Sequence, residues 1–254
     1  GTIMFVPHII NDWQNLDSPI PARFVSGHFF FTVGEHCIDY KYDPNIYLAG
    51  DEISLSIRSY TLGYDLYHPH IPLVWHEYTR ANRVKHWDDH TSNNKNEKMI
   101  EHAWHETNSS GLKRLRHMLK EEDNHIDLGA YGLGPIRTHT QYEKYAGIDF
   151  RNRLLHRDAV DGIDPPSSEN GKFVPSYFRQ IHIPKTITDM NSNDDIQFVY
   201  TENNSVAQRR DYVPGKIPNR IDFISYEDSP PKKVVIWPYS KTRKWLDRID
   251  IFVK

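Results

Sequence analysis

One cysteine, Cys37, stands among 254 residues. A lone thiol excludes an internal disulfide framework and a cysteine-rich zinc site, and a reducing, cytoplasmic setting is the simplest reading. An excess of one charge is also missing. Lys and Arg number 31 against 34 Asp and Glu, a net charge of −3. That balance gives no general attraction to nucleic acid or acidic membranes, so neither is expected as a partner. No apolar run approaches the roughly 20 residues a membrane helix needs, so no membrane span is expected. The opening GTIMFVPHIINDWQN lacks the basic region and long apolar core of a signal peptide. It reads instead as entry into the middle of a fold. There is no Gly-x-Ser-x-Gly elbow to support serine hydrolysis.

Aromatic residues are plentiful. With 15 Tyr, 11 Phe and 6 Trp in a chain that is 38% hydrophobic, there is ample material for a core. The length fits one large domain, or one domain with a smaller appendage. Residues 23–33, RFVSGHFFFTV, predict a strand, and Asp43-Pro44-Asn45 predicts a turn. A helix follows with Asp51 as its N-cap, Ile53, Ile57 and Tyr60 on one face, and Gly63 at the left-handed position past its end. YDLYHP and IPLVWHEY read as short extended segments. Residues 93–122 hold helical spacing with a break expected near Ser109-Ser110-Gly111. A glycine-rich loop then leads to a short helix, capped by Thr140 and stopped by Gly147. Turn formers cluster in DGIDPPSSENG, so a boundary is expected there, between a first domain over residues 1–163 and a β-rich module over 172–254.

The most suggestive local feature is Gly50-Asp51-Glu52. Carboxylates in the first turn of a helix are stabilised by its dipole whatever they do, which is the commonest reason for finding them there. Their surroundings add a functional reading. Gly50 permits close backbone approach to a ligand. The small pair Ser26-Gly27 inside an aromatic run leaves room for a flat ligand such as a sugar ring. His76 follows one short connection after the helix, with Trp75 beside it. His86-Trp87 follows soon after, close enough to His76 in sequence to line the same cleft.

As an ordered set, FVSGHFFFT followed by YDPNIYLAGDEISLSIRSYTLGYDLYHPHIPLVWHEYTR resembles the distal half of the catalytic domain of GT-A glycosyltransferases. The resemblance extends over about residues 20–151 and takes in YGLGPIRTHTQYEKYAGIDF. It is to the GlcNAc-transferases that modify hydroxyproline on a cytosolic F-box adaptor in protists and have bacterial relatives. The polypeptide GalNAc-transferases are similar at a greater distance. The resemblance implies an α/β, GT-A-like fold: a Rossmann-like mixed sheet with flanking helices, incomplete at its N-terminus. It implies transfer of a sugar, GlcNAc first among candidates, from a UDP-sugar donor to a hydroxyl of a protein or glycan acceptor. Asp51 and Glu52 are then the catalytic carboxylates and His76 a ligand to Mn²⁺ or Mg²⁺. Ser26, Gly27, His28, Gly50, Trp75, Arg80 and His86 make up the substrate-binding set. The family's Asp-x-Asp lies upstream of the small-small-aromatic run, and residues 1–22 contain no such motif. The nucleotide-binding half is therefore expected to lie outside this sequence.

Other motifs carry blander readings. His86 and His90 with Asp88 and Asp89, and the pair His102 and His105, read as solvated helix faces, since no third ligand stands at suitable spacing. YGLGPIR with Arg137 offers glycine N–H groups to a phosphate but lacks the lysine and spacing of a P-loop. Cys37 reads as a small buried hydrophobe. The rival to an enzyme is a carbohydrate- or protein-binding module derived from a glycosyltransferase.

Overall fold

The computed structural model describes Ile3, Ile10 and residues 12–48, 50–75, 84–123, 125–182, 194–202, 205–212, 220–226, 233–240 and 244–252. The chain divides into two compact units, Gly1–Phe173 and Val174–Lys254. Among the described residues the architecture is mixed α/β, with small antiparallel sheets and helices.

Unit 1 contains β1 (Ile20–Pro21), α1 (Gly34–Asp39), α2 (Asp51–Thr61), β2 (Tyr67–His68), α3 (His86–Asp89), α4 (Ser92–Asn96), α5 (Trp104–Met118), α6 (His139–Ala146), β3 (Ile148–Asp149), β4 (Leu154–His156) and α7 (Arg157–Val160). β5 (Phe173–Pro175) crosses into unit 2. The core gathers around α2. Ile53 and Ile57, one turn apart, meet Leu115, Met118 and Leu119 at the end of α5, and Tyr142 and Ala146 of α6. Ala22, Ile46, Leu66, Ile148 and Phe150 complete it. β1 and β2 pair with Ile20 opposite His68, and β3 pairs with β4 through Ile148 and Leu155.

α2 forms where its pattern predicts, and Gly63 follows it at φ +98°, a conformation that suits only glycine. Its N-cap is Gly50, so Asp51 is the first helical residue instead of the cap. Arg58 is 1% exposed and pins two loops to the helix. It donates to the carbonyls of Gly132 at 3.2 Å and Lys41 at 2.8 Å and lies 4.1 Å from the centre of the Tyr40 ring.

Four further expectations are corrected. Residues 23–33 do not form a strand. Ser26 and Phe29 bridge across a two-residue turn, and Phe29, Phe30 and Phe31 are exposed, so no strand among the described residues covers the segment. The break in the 93–122 helical stretch falls between α4 and α5, and α5 runs unbroken through Gly111. Gly111 serves packing, since a Cβ there would sit 2.9 Å from the backbone oxygen of Asn45. α6 is capped by Thr138, not Thr140, because Thr138 and Gln141 bond reciprocally across the first turn as a capping box. Gly147 ends that helix at φ +68°, the position predicted for it. Cys37 is exposed, because α1 turns its neighbour His36 inward toward Ser59.

Unit 2 contains β6 (Tyr177–His182), β7 (Asp194–Glu202), β8 (Ser205–Tyr212), β9 (Arg220–Ser225), β10 (Lys233–Ser240), β11 (Lys244–Trp245) and β12 (Ile249–Phe252). One antiparallel sheet has the order β11-β10-β7-β8, with β12 also paired to β10, and β6 pairs with β9. β8, with the polar sequence SVAQRRDY, lacks the apolar alternation that marks its neighbours. Its strand conformation follows from the ladder with β7, closed by Glu202 opposite Ser205.

Candidate active site

The first turn of α2 organises the site. Asp51 and Glu52 are partly exposed there, each held by a donor from a different segment. The Tyr42 hydroxyl donates to Asp51 Oδ1 at 2.8 Å, and the Gly27 N–H donates to Glu52 Oε1 at 2.8 Å. One turn further along the helix the Val25 N–H donates to Ser56 Oγ at 3.0 Å, and that hydroxyl donates back to the Glu52 carbonyl at 2.6 Å. The turn bearing Ser26, Gly27 and His28 is thus laced along the Glu52–Ser56 face of α2. Ser26 Oγ accepts the His28 N–H at 3.2 Å and lies 2.9 Å from His28 Nδ1, which orients that imidazole.

The electrostatics of the corner are opposed. Burial raises the Asp51 carboxyl above its ordinary range and neighbouring Glu52 adds to the rise, while the Tyr42 hydroxyl lowers it. The helix dipole also favours the ionised form. Tyr42 is itself held well above the usual phenol range, by burial first and then by its bond to Asp51, so it remains a donor.

Ser26, Gly27, His28, Asp51 and Glu52 are therefore brought together. Gly50 adjoins them but faces the core. A Cβ there would lie 3.0 Å from both Ile46 and Leu115, so its small size serves packing instead of a ligand's approach. Trp75 is 86% exposed. His76 and Arg80 lie outside the described residues. His86 is tied to the segment leading into α2, where its Nδ1 bonds the Tyr47 hydroxyl. The YGLGPIR loop sits at the far end of α2, about 16 Å from the acidic pair for a helix of this length. The Gly134 N–H donates to Thr61 Oγ1 at 2.9 Å, and a Cβ on Gly134 would meet the Leu62 nitrogen at 2.4 Å, so this glycine is fixed by packing instead of cradling a phosphate.

Two participants escaped the sequence reading. Tyr42 carries no motif, and the only hint was its place just before a turn. The buried Asp43, 2.5 Å from the partly buried Arg114, ties that turn to α5. Arg114 also donates to the carbonyls of Asp127 at 2.9 Å and Leu128 at 3.0 Å. Partners 71 positions apart in sequence leave no local signal.

The model of the glycosyltransferase (GlcNAc) family matches residues 1–152, more than half of the 254-residue chain. The chain belongs to the glycosyltransferase (GlcNAc) family. The family match takes in the whole of α2, the Ser26–Phe29 turn, Tyr42 and the core that supports them. No curated protein and no solved structure matches the chain. Among the described residues no helix is long and apolar enough to cross a membrane.

Proposed function

We propose that this glycosyltransferase domain has GT-A architecture and moves GlcNAc from a UDP donor to a hydroxyl of a protein or glycan acceptor. The supporting observation is the paired carboxylate corner, with Asp51 and Glu52 held by donors from two separate segments, Tyr42 and Gly27. The acceptor oxygen attacks the anomeric carbon as the bond from that carbon to the diphosphate oxygen breaks. The acceptor proton passes to the departing phosphate. Asp51 and Glu52 orient the acceptor hydroxyl and the donor sugar, and the Ser26-Gly27-His28 turn lines the sugar's side.

Dependence on Mn²⁺ or Mg²⁺ belongs to the proposal through His76, whose neutral imidazole suits Mn²⁺. Such an ion neutralises charge that develops on a leaving diphosphate. Among the described residues no group of three or more His, Cys, Asp or Glu side chains is placed to hold a metal.

The test is UDP release from UDP-GlcNAc by the full-length protein, with and without Mn²⁺. Glu52→Gln is expected to lower release by about 100-fold, the scale on which a misplaced substrate loses rate. His76→Ala is expected to abolish any gain from Mn²⁺. Full activity in Glu52→Gln would overturn the assignment, and glycan binding without turnover by the wild type would favour the binding module.

A further inference from the structure

We propose that His36 is a positioning residue for the carboxylate corner: it seats α1 against α2, and its protonation unseats α1 and slackens both donors to the acidic pair. The consequence for turnover rests on the sugar-transfer reading, and the anchoring does not.

His36 is the one buried residue of α1, and every other residue of that helix is exposed. Its Nε2 lies 2.9 Å from the hydroxyl of Ser59, a buried residue of α2. Three rings close around the imidazole. Tyr40 stacks on it with centres 5.3 Å apart and planes 10° from parallel. Tyr64 meets it edge-on at 4.8 Å, and Phe30 lies tilted at 5.1 Å. Both donors to the acidic pair flank this cage. Phe30 follows shortly after Gly27, whose N–H holds Glu52. Tyr42, whose hydroxyl holds Asp51, follows shortly after Tyr40. The cage on His36 therefore fixes both stretches of chain that reach the carboxylates.

A neutral imidazole suits the cage and an imidazolium does not. The charged groups that face His36 are Asp39 of α1 and Arg58 of α2. Arg58 lies 4.1 Å from the centre of the same Tyr40 ring on which the imidazole stacks, so a second cation there is repelled. Burial pushes the His36 imidazole below its ordinary range, Asp39 opposes that, and Arg58 adds to it. Tyr40 and Tyr64 remain neutral. Burial comes first in raising Tyr40, and the 2.8 Å bond that Tyr64 donates to Asp39 comes first in raising Tyr64. A released α1 returns His36 to its ordinary range. The seated state is thus fully favoured above that range. It loses ground by up to about tenfold per pH unit as pH falls below it, until the lowered value is reached.

The lone cysteine supplies the probe. Cys37 is exposed on α1 and is the single thiol of the chain, so a fluorophore attached there reports on that helix. The labelled full-length protein is titrated from neutral pH toward the carboxylate range. Fluorescence anisotropy, the His36 ring resonance and the rate of UDP release from UDP-GlcNAc are followed together. His36 is expected to titrate below the ordinary imidazole range, with anisotropy and release both falling as it does. His36→Phe keeps a ring for Tyr40 and Tyr64 but has no proton to gain. Its anisotropy should stay level, and its acid loss of release should shift to lower pH, where the carboxylates themselves titrate. Circular dichroism establishes that the variant is folded. The proposal is overturned by the same acid profile of anisotropy or release in wild type and folded His36→Phe. Wild-type anisotropy that stays level while His36 titrates also overturns it, whether or not the variant folds. A His36-dependent fall in anisotropy in a chain that releases no UDP upholds the anchor and overturns the sugar-transfer reading instead.

Discussion

At the scale of single residues, the acidic corner is a compromise between stability and chemistry. The Asp51 carboxyl is raised by burial, so the folded state favours its protonated form more than the unfolded chain does. That preference stabilises the fold fully in acid, below the ordinary carboxylate range, and is lost as pH rises through the raised value. Asp51→Asn carries no charge at any pH and keeps an oxygen to accept the Tyr42 hydroxyl. It is expected to be more stable than the wild type near neutral pH, by about 0.5–2 kcal/mol at most, and nearly equal to it in acid below the ordinary carboxylate range. Urea denaturation at the two pH values checks this, and sugar transfer by the same variant should fall.

At the scale of elements, small residues here mark contacts instead of breaks. Gly111 lies within α5, where glycine ordinarily costs about 1 kcal/mol relative to alanine. Propensity alone predicts that Gly111→Ala stabilises the protein. The added Cβ, however, would stand 2.9 Å from the backbone oxygen of Asn45 and 3.1 Å from the Tyr47 nitrogen, and backbone cannot swing aside as a side chain does. Overpacking of this kind costs about 1–3 kcal/mol, so a net loss of stability is expected. Chemical denaturation decides the sign. The same contact holds the 45–47 segment against α5 and so fixes how the chain enters α2.

At the scale of the whole molecule, unit 1 supports its site from beneath. Leu115 is fully buried and packs where a side chain on Gly50 would stand, directly under the start of α2. Leu115→Ala should destabilise unit 1 by about 2–5 kcal/mol, as buried leucines do when truncated. Denaturation followed by fluorescence measures that loss. Transfer activity should fall with it even though Leu115 lies beneath the carboxylates without bonding to them, because the cavity loosens the helix that carries them.

The sequence by itself determined what local rules govern. The 3.6-residue spacing of Ile53 and Ile57, the acidic first turn and Gly63 defined α2, and alternation with turn formers defined most strands of unit 2. Family membership was also legible, as an ordered string of motifs around Asp51 and Glu52. Only the tertiary structure decided which residues hold those carboxylates and which glycines serve packing. Tyr42 reaches Asp51 across nine positions, Gly27 reaches Glu52 across 25 and Asp43 pairs with Arg114 across 71, none of them a spacing that helical or strand periodicity registers. The physical reason is that a hydrogen bond or a close backbone approach depends on position in space. Gly50, Gly111 and Gly134 look alike as sequence, and only the atoms packed against each show that all three serve packing.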